Sequence, residues 1–367
     1  MEIKISGPVE INIFRKYKQL LVFLSDNHST RNETCDCVCN RYDLLLNQVK
    51  EKSNCYTILA LLDTWFKMNN QQDIKTDFYI ESEIIPHPNM KEPRVLDMIN
   101  ELKKNGDNET LWKHLNKFYE MTSFLRLLRL FFNDVLQDKS NIYQPNVQLH
   151  PVDIRSIRTE TDQESSSIEP FTIFRYVKIN DNAISFMTFL LDNVHFFTDF
   201  YFEAQEYKIF KQNINNLMND NDIHMDNDLE REFYSSVDDV VLVTVGNKQI
   251  HKISYELSRL SHNIRKMLKK FIYNRLDEVV IKTRREIPEV VNFVELGSLI
   301  MDAYLLALIL NNQEAEQIIV YAGYRHIDNY VEFLKDFMNY KLVEHNTGKQ
   351  DEGRCVYSEY LYDLIIT

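Results

Sequence analysis

The chain has 367 residues, 44% of them apolar, and a formal net charge of −13. That length and apolar share allow a sizeable core and two or three domains. The acidic balance argues against a broad nucleic-acid surface, which needs clustered Lys and Arg to displace phosphate counterions, and the lack of any run of 18 apolar residues argues against a membrane-spanning helix.

Residues 1–14 alternate apolar and polar: Ile3 and Ile5, then Val9, Ile11 and Ile13, with Gly7-Pro8 between them. This predicts a β-hairpin or two short strands. The start, Met1-Glu2-Ile3-Lys4-Ile5, has no apolar core of a secretory signal, so an intracellular compartment with reduced thiols is expected. Leu20 to Leu24 is a continuous apolar run followed by polar turn residues, which predicts a buried strand of a mainly parallel sheet. Cys35, Cys37 and Cys39 alternate in Cys-Asp-Cys-Val-Cys, a spacing tighter than the paired cysteines of structural zinc sites. With Cys55 and Cys355 they read first as small residues in a loop or strand, and second as a metal or redox group.

Tyr56 to Met68 has helical leucine spacing, and Thr76 to Glu81 reads as a strand. Helices are predicted at about 93–104 and 109–137, the second a core helix over Leu111 to Val135, and a short strand at about 146–150. The polar segment at about 157–170 predicts a flexible loop. A helical insertion is expected at about 183–285, broken near Asn219 to Asp222. Its basic stretch, Arg265 to Arg285, is interrupted by Asp277 and Glu278 and reads as a solvated helix face. Helix resumes from Pro288 to Leu310, Gln317 to Ala322 is a strand, Gly323-Tyr324 a turn, and His326 to Tyr340 a helix. The expected architecture is one α/β domain over 1–367, with a mainly parallel central sheet, flanking helices and large helical insertions.

Four polar signals fall at predicted strand ends: Ser25-Asp26-Asn27-His28, Glu81, Asp153 with Arg155, and Gly323-Tyr324-Arg325-His326. Ligands of open parallel sheets bind outside the carboxyl ends of the strands. Each signal also has a plain structural meaning. Asp26 can open a turn, His28 can be surface or core filler, and Glu81 can cap a helix or pair with Arg155. Gly323 can serve a tight turn, His326 can be a first-turn helix residue, and Asp153 with Arg155 can be an ion pair. If the residues converge, His28, His326, Asp26 and Glu81 suit one divalent metal with a position left open for water. Without a metal, Glu81 or a histidine is a candidate general base and Arg155 an anion stabiliser.

These motifs resemble the superfamily that joins Tiki proteases, TraB proteins, ChaN haem-binding proteins and erythromycin esterases. Its pattern of Gly-x-x-His, a strand-end Glu, an arginine segment and a second Gly-x-x-His is similar to Ser25 to His28, Asp77 to Glu81, Arg155 and Gly323 to His326, with Ser25 in place of the first glycine. The resemblance implies an α/β fold and hydrolysis of a protein or small-molecule substrate. Asp-Phe-Tyr-Ile-Glu, Val-Asp-Ile-Arg and Tyr-Ala-Gly-Tyr-Arg-His-Ile-Asp-Asn-Tyr also resemble a protein group encoded by large DNA viruses. That likeness implies a host-cytoplasmic or virion location and a competing role as an inactive structural or interaction protein. Leu24 to His28 further resembles the opening Asp-x-His of calcineurin-like metallophosphoesterases, but their later Gly-Asn-His and Gly-His-x-His motifs are missing. No G-x-x-x-x-G-K, G-x-G-x-x-G or G-x-S-x-G occurs, which argues against nucleotide-binding loops and serine-hydrolase elbows.

Overall fold

A computed structural model of the protein describes residues 2–27, 55–83, 124–132, 135–136, 140–153, 191–203, 207–220, 249–285, 294–348 and 355–365. In chain order these form β1 (Ile3–Ser6), β2 (Glu10–Lys16), β3 (Gln19–Asp26), β4 (Cys55–Thr57), α1 (Ile58–Gln71), β5 (Thr76–Glu83), α2 (Phe124–Phe131), β6 (Ile142–Gln144) and β7 (Val147–Asp153). Helices α3 (Val194–Glu203), α4 (Tyr207–Asp220), α5 (Gln249–Arg259), α6 (His262–Arg285) and α7 (Val294–Asn311) follow. The chain closes with β8 (Gln317–Gly323), α8 (Tyr324–Glu332), a π-helical turn (Phe333–Phe337), β9 (Lys341–Thr347), β10 (Cys355–Ser358) and α9 (Glu359–Ile365). Two compact units result: residues 1–152 with 313–367, and residues 153–312.

The first unit is α/β. Its seven-stranded sheet has the order β6-β7-β5-β8-β3-β2-β9, and a three-stranded sheet has the order β10-β1-β4. Strands β5, β8 and β3 run parallel, whereas β2 pairs antiparallel with both β3 and β9, and β6 antiparallel with β7. The sheet is therefore mixed, with parallel strands at its centre and antiparallel strands on its flanks. β8 is buried at every position, as a central strand covered on both faces must be, and this explains its unbroken Ile-Ile-Val-Tyr-Ala run.

Strand alternation sorts the side chains onto two faces. Leu20, Val22, Leu24, Phe78, Ile80, Ile319 and Tyr321 join one core cluster with Ile58, Leu61, Leu62, Trp65 and Phe66 of α1. Those α1 positions recur at helical spacing and form one stripe. Asn69 continues the same stripe as a buried polar residue. Its Nδ2 donates to Thr76 Oγ1 (2.8 Å) and Gln317 Oε1 (2.7 Å), tying α1 to the amino ends of β5 and β8. On the other face Phe14 and Phe23 meet edge to face at 5.9 Å, and Phe23 lies 6.2 Å from Tyr330 of α8.

The apolar alternation of residues 1–14 gives two strands in different sheets rather than a hairpin. Gly7 turns the chain between them with a φ of 133°, a conformation that favours glycine. The hairpin is instead β2–β3, closed between Lys16 and Gln19, with Tyr17 at a φ of 54°.

Helices α3 to α7 are the described elements of the second unit. α5 and α6 pack on α7, and α3 packs on α5 and α6. α7 is buried from Leu299 through Ala307, because apart from Asp302 that stretch is apolar on all sides. α6 turns Leu268, Ile272 and Leu276 inward and exposes Lys266, Lys270 and Lys282. Along the α3–α6 seam, Lys269 pairs with Asp199 (2.8 Å) and Glu203 (2.6 Å). Burial opposes its charge, but these two carboxylates outweigh it and lift the Lys269 ammonium above its ordinary pKa. No described helix is long and apolar enough to cross a membrane.

Candidate functional site

Because β3, β5 and β8 are parallel, their carboxyl ends share one edge. Asp26 on β3 stands opposite Gly323 on β8, and Glu81 on β5 follows Ile80, the partner of Tyr321. α8 begins immediately after Gly323. The Gly323 N–H donates to Glu81 Oε2 at 2.7 Å, so a carboxylate from β5 takes the place of a side-chain cap at this helix start. The positive end of the helix dipole favours an anion there. Gly323 has a φ of −58°, so the turn does not need glycine for a left-handed backbone.

His326 lies in the first turn of α8. Its Nε2 is 3.8 Å from Glu81 Oε1, within ion-pair range but too long for a direct hydrogen bond. Both residues are buried, His326 to 7% exposure and Glu81 to 3%. The His326 ring also stacks near Tyr330, with centroids 6.4 Å apart. Of the expected site residues, the structure therefore brings Glu81 and His326 together. Asp26 is fully buried at the same edge, but the alternation of β3 puts it on the face of Leu20, Val22 and Leu24. Glu81 shares the opposite face with Asp77 and Tyr79. His28 and Arg155 lie outside the described residues, as do Cys35, Cys37 and Cys39. No group of three or more His, Cys, Asp or Glu side chains suited to a metal occurs among the described residues. Glu81 and His326 offer one face of two donors, and one Glu81 oxygen is already engaged by a backbone amide. A divalent ion here needs further ligands.

Several polar groups at this edge were not anticipated from the sequence. Arg129 of α2 donates through Nε (2.7 Å) and Nη2 to the Glu81 carbonyl oxygen, which puts a guanidinium beside the end of β5. On β2, Asn12 Nδ2 donates to Glu10 Oε1 at 2.6 Å, and Asn12 Oδ1 lies 2.7 Å from Nδ1 of His345 on β9. His345 Nδ1 is also 3.5 Å from Glu10 Oε1. Glu10 stands opposite Ser25 in the sheet, and the Ser25 hydroxyl is buried with no hydrogen-bond partner among the described residues. The Glu10 carboxylate, then partial burial and Asp328, hold the Tyr324 phenol above its ordinary pKa. A further pair lies along the sheet face, where His150 Nε2 is 3.1 Å from Asp77 Oδ1 and its ring stacks on Tyr79 at 4.8 Å.

The sequence carried a weak signal for one of these groups. Residues 10–13 alternate Glu-Ile-Asn-Ile, and polar residues held inside a buried strand mark a network or a site. Comparison of the chain with protein-family models, with curated proteins and with solved structures gives no match.

Proposed function

We propose that the carboxyl edge of β3, β8 and β5 is a hydrolytic site in which Glu81 and His326 form the acid–base pair. The observation that supports this reading is the buried carboxylate–imidazole approach of 3.8 Å at the edge where parallel sheets place their ligands. Glu81 faces His326 Nε2 and compensates the imidazolium that forms when the ring takes a proton from water. The Arg129 guanidinium, anchored on the Glu81 carbonyl oxygen, is the proposed stabiliser of the developing oxyanion. His28 and Arg155 remain proposed contributors on the strength of the motif resemblance.

Hydrolysis of 4-nitrophenyl acetate by the full chain tests the proposal. His326→Gln and Glu81→Gln are each expected to lower kcat by at least about 100-fold while the circular dichroism spectrum is retained. Rates equal to wild type for both variants would sink the assignment. Metal analysis separates the metal-assisted form: a stoichiometric divalent ion lost in the His28→Ala/His326→Ala double variant supports it. Two bound ions with cleavage of bis(4-nitrophenyl) phosphate would instead favour the phosphoesterase reading.

One observation favours the non-enzymatic reading, that of a structural or interaction protein. Glu81 Oε2 is committed to the Gly323 amide, the task of a helix cap rather than of a free base. That reading expects no turnover of either probe, and a loss of stability as the main effect of changing Glu81.

A further inference from the structure

His345 stands on β9 opposite Asn12, on the same sheet face. A carboxylate only accepts hydrogen bonds, so the 2.6 Å contact with Glu10 Oε1 fixes which end of the Asn12 amide is nitrogen. The amide oxygen is then the atom that faces His345 Nδ1 at 2.7 Å, and it too only accepts. The neutral ring must carry its proton on Nδ1, which leaves the lone pair on Nε2. Asn12 is 1% exposed and Glu10 is 9% exposed, and both are held on a strand paired on each side. The His345 side chain, by contrast, is 49% exposed. A buried amide and a carboxylate thus orient an imidazole whose side chain is half exposed. In a triad the base is oriented by a third group in the same way.

We propose that His345 is a second acid–base site at this edge, with Asn12 and Glu10 as positioning residues, and that it acts on the ester carbonyl of a substrate lying on the exposed face of β9. The inference rests on the hydrolytic reading above for its substrate class. It does not need the Glu81–His326 pair, which belongs to β5 and α8. In the step, His345 Nε2 takes a proton from water and the water oxygen bonds to the carbonyl carbon. The C–O bond to the leaving alcohol then breaks, and the imidazolium returns its proton to that oxygen. The histidine ends as it began, and no co-reactant is needed.

The test uses the full chain with 4-nitrophenyl acetate, together with ring-nitrogen NMR of histidine-labelled protein. His345→Gln is expected to lower kcat by at least about 100-fold with KM within about twofold. Because His345 is exposed, that variant should fold normally. In the wild type the His345 proton is expected on Nδ1. Asn12→Ala should redistribute it and lower kcat. A wild-type proton found on Nε2 overturns the inference whatever the activity. If His326→Gln abolishes turnover and His345→Gln does not, the inference fails and the Glu81–His326 assignment stands. The reverse pattern leaves His345 as the base and removes the buried pair from the chemistry. A wild type inert toward the ester removes both.

Discussion

Glu81 receives the Gly323 amide on one carboxylate oxygen and approaches His326 with the other, while its backbone carbonyl receives Arg129. Removing the carboxylate strands a buried N–H, and an unsatisfied buried donor costs about 1–3 kcal/mol. Glu81→Leu is therefore expected to lower the unfolding free energy by that amount in urea titrations, and Glu81→Gln, which keeps an oxygen for the amide, by distinctly less. Equal losses would mean that charge, not the cap, stabilises the turn. Asn69 offers the same logic at the opposite end of the strands. Asn69→Leu leaves Thr76 Oγ1 and Gln317 Oε1 without their shared donor and should cost about 2–3 kcal/mol, measured in the same way. The positions of Asp26 and Glu81 near strand ends, and of His326 just past β8, were legible in the sequence because a short apolar run precedes each, the mark of a strand. Arg129 was not, since it sits in Phe-Leu-Arg-Leu-Leu-Arg-Leu-Phe, which reads as a core helix, and no local spacing reveals that its guanidinium reaches β5. The link from Glu10 and Asn12 to His345 was hidden for a different reason. Asn12 and His345 are 333 residues apart along the chain and meet only through strand pairing.

Among the elements, those with one strong period were legible and those defined by their partners were not. β3, β5 and β8 announced themselves as short apolar runs, and α1 by its leucine spacing. β9 did not, because an edge strand exposes every second residue and its Lys-Leu-Val-Glu-His-Asn-Thr holds no apolar alternation longer than a residue or two. The β2–β3 hairpin escaped notice because its turn has no Asn-Gly or Gly. Tyr17 takes the positive φ there and is 91% exposed, so it pays a backbone cost with no packing in return. Tyr17→Asn should raise stability by up to about 1 kcal/mol, read as a higher midpoint in urea. A lower midpoint would show that the ring stabilises the hairpin in some other way. Packing between elements gives a change in the other direction. Phe132, just past α2, has ring contacts with Phe66 (6.0 Å), Phe78 (5.8 Å), Phe131 (5.0 Å) and Tyr143 (5.2 Å). It joins α1, β5 and β6 on one face, and Phe132→Ala should cost about 3–5 kcal/mol.

At the scale of the whole molecule, 12% of the residues are aromatic, and burial turns that into a property of each unit. The sequence has 20 Tyr, and in both units some of them place their phenols in the interior. Burial holds Tyr201 and Tyr304 well above the ordinary phenol pKa, with Glu256 adding to the effect at Tyr304. In the α/β unit, burial does the same for Tyr143, reinforced by Asp63, and pushes Tyr340 up to about 12. Below pH 10 these phenols are protonated in both the folded and the unfolded chain, and the stability they confer is fully present. As pH rises past 10, the unfolded chain releases these protons and the folded one retains them. Stability then falls by about 1.4 kcal/mol per pH unit for each phenol. For Tyr340 that loss is complete near pH 12. Since each unit holds two such phenols, both units should unfold on alkaline titration rather than one alone. Absorbance of the tyrosinate band and circular dichroism, followed together from pH 9 to 12, should show exposed tyrosines ionising first. A late group should ionise only as helix and sheet signals collapse. Tyr340→Phe removes one of these protons and should move the collapse of the α/β unit to higher pH. Ionisation of all the tyrosines in one step near pH 10, with the dichroism unchanged, would contradict the burial on which this argument stands.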